Sequence, residues 1–286
     1  MMDAERAIAA ALALTDGIGP VLIGRLMDHF GSLSAIVNAS SSALQAVKGI
    51  GRALSERLRK IDPARTAQDL ATYAQQGIQA TLWIDPDYPP PLAALPDRPL
   101  IVFRQGQAAF PDPARSIAIV GTRTPTPESE RTAAHYGAFF AAQGWCIVSG
   151  LARGIDTAAH RGGLSTGTTA AVLGSGLLRL YPPENAPLAR QIVAEGCLMA
   201  EVHPETEARA EMLVFRNRLI AAFSRAVIVV EAPAASGALH AARRAHQLGR
   251  PVYALPNSAG NTALLTEFAA PLPPPEALWA ALNSGD

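Results

Sequence analysis

Lysine is almost absent from this chain: of 24 basic residues only Lys48 and Lys60 are lysines, and none follows residue 60. A P-loop needs a lysine on its phosphates and Schiff-base catalysis needs an amine, so neither chemistry is available. Net charge is also absent, with 24 basic residues against 24 acidic ones, so an anionic partner must be held by local clustering rather than by a global field. The abundance of arginine and alanine is what a GC-rich genome produces, yet each guanidinium still offers bidentate phosphate contacts. The only two cysteines, Cys146 and Cys197, each lie in a short apolar run, which favours buried thiols over a disulfide framework. No apolar run reaches the length of about 18 residues that a membrane span needs. The opening MMDAERAIAA lacks a basic segment followed by a signal-type apolar core, so a cytoplasmic protein with no membrane partner is expected.

What is present is enough apolar material, 49% of 286 residues, for one substantial core and a smaller satellite domain. Residues 1–62 carry apolar positions at helical spacing in Ile8–Leu14, Val21–Phe30 and Leu54–Ile61, with no strand signal. Two self-similar punctuations, Gly17-Ile-Gly19 and Gly49-Ile-Gly51, each precede a helical run and suggest a helix-hairpin-helix pair. Glycine permits the sharp turn, and the free amides of the next helix can face a phosphate. A tight helix–helix turn is the plainer reading: Asp16 and Asp28 oppose DNA near the first hairpin, whereas Lys48 and Arg52 favour it near the second.

Residues 63–113 read as a Pro-rich connecting segment with strands at Thr81–Ile84 and Leu100–Phe103. From 114 to 265 the rhythm becomes strand, glycine loop, helix. Apolar runs at Ile117–Val120, Cys146–Val148, Ala170–Leu173, Leu198–Val202, Val227–Val230 and Val252–Leu255 alternate with crossover-length helical stretches. The fold expected is α/β: a Rossmann-like, doubly wound, mostly parallel sheet preceded by a small all-α domain. Residues 266–286 form a Pro-rich tail with a short helix.

In such a sheet ligands sit beyond the carboxyl ends of the strands. There the sequence repeats one chemistry: Gly121-Thr122-Arg123, Ser149-Gly150 through Arg153, Gly174-Ser175-Gly176 and Ser236-Gly237 each place glycine and hydroxyl groups near a helix opening, where amides bind anions. One such loop is commonly a turn requirement; four in one sheet point to an anionic ligand. Gly174-Ser-Gly-Leu-Leu-Arg179 lacks the third glycine of the dinucleotide fingerprint, which disfavours a dehydrogenase. Phe215-Arg216-Asn217-Arg218 is placed at a helix start, with one arginine toward a phosphate and the other bracing the loop through a carboxylate such as Glu231. Phe215 either stacks on a base or plugs the core.

These segments together resemble the DprA/Smf family. The resemblance spans about residues 10–265 and runs through Ile119-Val-Gly-Thr-Arg123, Ser149-Gly-Leu-Ala-Arg-Gly-Ile-Asp-Thr-Ala-Ala-His160, Ala171-Val-Leu-Gly-Ser-Gly176, Tyr181-Pro-Pro-Glu-Asn185, Phe215-Arg-Asn-Arg-Leu-Ile-Ala221, Val229-Val-Glu-Ala232 and Ser236-Gly237. It implies a sterile-alpha-motif-like helical domain before an extended Rossmann fold, single-stranded-DNA binding at the Arg123 loop and the Arg216–Arg218 segment, homodimerisation, and handover of the strand to the recombinase RecA in natural transformation. It implies no cofactor and no enzyme. The sequence departs from the family at Ala238-Leu239-His240, at Leu255-Pro-Asn257 where Val-Pro-Gly is usual, and at Phe268-Ala-Ala270. The winged helix that many members carry at the C-terminus has no counterpart before Asp286.

Asp156 and His160, four apart on a helix, suit an acid/base pair or, more plainly, capping and internal hydrogen bonding. No nucleophile elbow or metal spacing is found. The rival reading is a nucleotide-binding or nucleoside-phosphate-cleaving enzyme of similar fold. Such enzymes carry Pro-Gly-Gly-x-Gly-Thr-x-x-Glu where this chain has Ser236-Gly237, with Glu231 just before.

Overall fold

A computed structural model describes residues 3–284; the ends of the expected first domain and of the tail lie outside the described residues. The chain divides into two compact units, one running to Phe103 and including Glu201–His203, the other holding the remainder.

In the first unit α1 (Ala4–Ala13), α2 (Pro20–Phe30), α3 (Leu33–Asn38), α4 (Ser41–Gln45) and α5 (Arg52–Leu58) bury Leu12, Leu26, Ile36, Leu44 and Leu58. Both hairpin glycines hold the left-handed φ that turns the chain, +90° at Gly17 and +102° at Gly49, and Gly19 and Gly51 cap the helices that follow. The two halves mirror one another. Arg25, eight residues after Gly17, donates to the Lys48 carbonyl at 3.1 Å, and Arg57, eight after Gly49, lies against the Gly17 turn.

The segment expected to be only connector and strand contains a 13-residue helix, α6 (Pro63–Gln75), which corrects that expectation. Its start was written in the sequence: the Asp62 side chain accepts from the Arg65 amide, and Pro63 occupies the first helical position. The first strand, β1 (Ile78–Leu82), lies earlier than expected, because Asp85 turns the chain by accepting the Leu82 amide at 2.8 Å. Arg6 holds that carboxylate with two N–H groups at 2.8 and 2.9 Å. A short α7 (Pro90–Ala93) leads to β2 (Ile101–Gly106), which carries the chain into the second unit.

The second unit contains β3 (Ser116–Val120), α8 (Pro127–Ala142), β4 (Cys146–Ser149), α9 (Ile155–Thr166), β5 (Thr169–Leu173), α10 (Ala186–Glu195) and β6 (Cys197–Ala200). After these come α11 (Ala210–Phe215), α12 (Asn217–Ala222), β7 (Ala226–Val229), α13 (Ala238–Gln247), β8 (Val252–Ala254), α14 (Ala259–Glu267), β9 (Ala270–Pro271) and α15 (Pro275–Asn283). Strands β3 to β9 lie in the order β6-β5-β4-β3-β7-β8-β9, all neighbours parallel. Strands β3, β5, β6 and β7 are fully buried, as expected of a sheet covered on both faces, and Phe140, Trp145, Ile155, Leu278 and Leu282 pack over one face. The doubly wound expectation therefore holds. The chain builds outward from β3 in one direction to β6 and in the other through β7 to β9. The switch point lies between β3 and β7, where a crevice is expected. The last-strand loop that departs from the family is closed by side chains: Asn257 donates to the Val230 carbonyl at 3.0 Å and accepts from Asn261 at 3.2 Å.

Candidate nucleic-acid interface

A cavity of about 580 Å³ opens at this switch point, between the loop after β3 and the loop after β7. Of the residues nominated from sequence, Gly121, Thr122, Arg123, Arg216, Asn217, Ser236 and Gly237 line it. Gly150 and Arg153 line a small adjoining pocket, which they share with Arg123 and Arg216. Ser149, Gly174, Ser175, Gly176, Phe215 and Arg218 line neither.

The two arginines of the Arg216–Arg218 segment behave differently from expectation. They do not share one helix start: α11 ends at Phe215 and α12 begins at Asn217, and the break separates the two guanidinium groups. Arg216 is 5% exposed. Its Nη1 donates to the Gly150 carbonyl at 2.7 Å and to the Val172 carbonyl, its Nε donates to the Leu213 carbonyl at 3.2 Å, and Nη2 lies 3.7 Å from the Asp156 carboxylate. Burial draws this guanidinium down to about 10, still charged at neutral pH, and pushes Asp156 above the usual carboxylate range. Arg216 is thus an internal brace. Its acidic partner is Asp156 and not Glu231, because Glu231 instead accepts the Thr126 amide at 2.9 Å and its hydroxyl at 3.1 Å, at the start of α8. Gly150 is required here: a Cβ would overlap the Arg216 guanidinium. Arg218 is 4% exposed and lies beneath the Phe215 ring, 3.9 Å from its centroid, whereas Phe215 is 52% exposed. The core reading of Phe215 fails, and a cation-backed ring faces solvent.

The glycine loops also differ from the expectation that their amides await an anion. In the loop after β4, the Gly150 and Ala152 amides donate to Asp156 at 3.1 and 3.4 Å, and the Leu151 amide donates to His160 Nε2 at 3.3 Å. The chain's own groups occupy this nest. His160 Nε2 must accept, so the neutral ring carries its proton on Nδ1, 2.6 Å from the Thr169 hydroxyl, which in turn donates to the Ile147 carbonyl. Burial holds this imidazole down at about 3. Asp156 and His160 are therefore not an acid/base pair. Asn185 completes the lattice by donating to the Leu151 carbonyl and the Thr157 hydroxyl, both at 2.8 Å. Leu151, held from both sides, has a left-handed φ of +59°. Ser149 donates to the Ile119 carbonyl at 2.7 Å. In the Gly174–Gly176 loop, Gly174 packs against the α11 backbone, the Gly176 amide donates to the Thr206 carbonyl, and the Ser175 hydroxyl is buried. After β7, Ser236 accepts the Ala238 amide at 3.2 Å, and Asn217 donates to the Gly237 carbonyl at 2.9 Å.

Two exposed cations, Arg123 and Arg209, line the main cavity. They have no side-chain partner among the described residues. Arg209 was not nominated from sequence. It precedes α11 with no glycine or motif beside it, and only the fold brings it to the same cavity as Arg123. Tyr181, half-exposed, adds an aromatic wall. Among the described residues no group of three metal-ligating side chains occurs, and the cysteines are free, with burial pushing Cys197 up to about 12.

A switch-point cavity lined by arginines that have no partner among the described residues, on a doubly wound sheet that follows a paired-hairpin helical segment, defines an α/β protein with a cationic cleft. Residues 79–283 match the family model of DNA recombination-mediator protein A, and residues 11–60 match the SAM-like helix-hairpin-helix tandem. The chain belongs to the DNA recombination-mediator protein A family, the DprA/Smf proteins. It is similar to protein Smf of Synechocystis, 38% identical over 90% of this chain and 66% of that protein, and to DNA processing protein DprA of Bacillus subtilis, 35% identical over 74% and 72%. The structure of DNA processing protein A from Streptococcus pneumoniae matches with a TM-score of 0.78 at 27% identity, covering 98% of each chain. That of the Helicobacter pylori protein, solved to describe its single-stranded DNA binding mode, matches with 0.65 at 27% identity over 72% of this chain and 96% of that one.

Proposed function

We propose that this protein binds single-stranded DNA in the switch-point cavity, as a DNA-processing protein of transformation and recombination. The observation that carries the reading is the pair of arginines without a partner among the described residues, Arg123 and Arg209, on a cavity walled by Gly121, Thr122, Asn217, Ser236 and Gly237. The single-stranded DNA binding mode described for the Helicobacter pylori relative supports it. Guanidinium groups hold phosphates by charge and paired donors, and the exposed Phe215 ring offers a base a stacking face that needs no particular sequence. A cytoplasmic homodimer that passes the strand to RecA is the physiological form this reading implies. No helix among the described residues is long and apolar enough to cross a membrane.

Titration of labelled oligo-dT against duplex of equal length tests the reading, with single strand expected to bind more tightly at equal salt; equal binding overturns it. Light scattering should give a dimer mass at micromolar concentration. Catalysis is not expected. Glu231, the acid of the rival nucleotide-cleaving reading, is held at α8 and does not line the cavity. AMP should remain intact, and turnover lost on Glu231→Gln would reinstate that rival.

A further inference from the structure

Beside the main cavity lies an ion-sized pocket of about 30 Å³ bounded by Arg123, Arg153 and Arg216, with Gly150, Tyr181 and Pro182 as its walls. Three guanidinium groups converge on it with donors to spare. Arg123 is free. Arg153 is held to Glu184 through Nε alone, which leaves both terminal nitrogens. Nη2 of the buried Arg216 is only loosely engaged by Asp156, at 3.7 Å. Cations gathered at one pocket attract an anion to it.

Size and charge indicate which anion. The pocket is a small recess suited to a compact anion, beside a cavity of about 580 Å³ that has room for a nucleoside. An internal phosphodiester carries a sugar on each side and must fit both around the pocket mouth. A terminal phosphomonoester carries a single sugar. Across the two spaces Arg123, Arg153, Arg209 and Arg216 are opposed only by Asp156 in the lining and by Glu184 on Arg153, a net 4 − 2 = +2. A phosphodiester contributes one negative charge, while a phosphomonoester contributes roughly 1.5 to 2 at neutral pH.

We propose that this three-arginine pocket takes the terminal phosphate of a DNA strand, so that the site engages strand ends that carry a phosphate in preference to strand interiors or hydroxyl ends. The proposal rests on the single-strand reading above and adds a chemical preference to it.

Three oligo-dT strands of equal length, labelled at an internal base, decide it: one with a 5′-phosphate, one with a 3′-phosphate, one with hydroxyls at both ends. One phosphorylated strand should bind about tenfold more tightly than the hydroxyl strand, the gain of a single charge-assisted contact. Arg153→Gln should bring that ratio close to one. Equal binding of the three overturns the proposal, as does an equal gain from both phosphates that survives Arg153→Gln, which would be a general charge effect. If no strand binds, the single-strand reading fails, and inorganic phosphate still decides the pocket. At matched ionic strength phosphate should raise the melting temperature of the wild type more than that of Arg153→Gln, and an identical response in the two overturns the proposal.

Discussion

The loops after β3 and β4 read alike in sequence, Gly121-Thr-Arg123 and Ser149-Gly-Leu-Ala-Arg153, yet they do opposite things. The second is filled from within: Asp156 and His160 take its amides, Asn185 its carbonyl, and Arg216 the space over Gly150. The first leaves its arginine in the cavity with no partner among the described residues. A glycine-rich loop is an anion site only if nothing in the chain already occupies its donors. The same contrast separates the arginines, with Arg216 held inside by the scaffold and Arg123 and Arg209 exposed along the cavity.

The largest effect expected from this contrast is on stability. Arg216→Ala leaves the Asp156 carboxylate buried without its cation and should cost about 3–5 kcal/mol in a denaturant titration. Arg123→Ala, at an exposed and unpartnered position, should stay within about 0.5 kcal/mol of the wild type. Similar losses at the two positions would erase the distinction. Phe215→Ala should weaken oligo-dT binding by about 1–3 kcal/mol. Its melting temperature should hardly move, because the ring is half-exposed; a large drop would return Phe215 to the core.

A smaller effect follows from the filled loop itself. His160 stays neutral in the folded protein down to about pH 3, while the unfolded chain takes up this proton near pH 6.5. The stability it confers is complete above the unfolded value and is lost as pH falls from there toward the folded one. The expected loss is about 1.4 kcal/mol per pH unit from this site. His160→Asn should remove that increment from the acid limb of a stability–pH curve, whatever its cost at neutral pH. An unchanged limb would mean that the ring is charged in the native state.

The sheet was legible because its strands are continuous apolar runs bounded by glycine, a local pattern. The hairpins were legible because Gly17 and Gly49 punctuate helices at matching offsets. Helix α6 was overlooked because the surrounding prolines suggested extended chain, although Asp62-Pro63 is itself a helix start. At the site, sequence nominated the residue types but not who holds whom. That Asp156 rather than Glu231 meets Arg216, or that Phe215 covers Arg218, depends on a one-residue break between α11 and α12 that no local signal marks. Arg209 lay beyond reach for the same reason, since only the fold brings it to the cavity that Arg123 lines.

The salt dependence of oligo-dT affinity tests the central division most directly. Each phosphate contact on a single strand contributes roughly 0.7 to the slope of log affinity against log salt. Arg123→Ala and Arg209→Ala should each flatten the slope by about that amount, and the double variant by about twice as much. Arg218→Ala, which removes the buried cation beneath Phe215, should weaken binding with the slope unchanged. A flattened slope in Arg218→Ala, with wild-type slopes in Arg123→Ala and Arg209→Ala, would contradict the account.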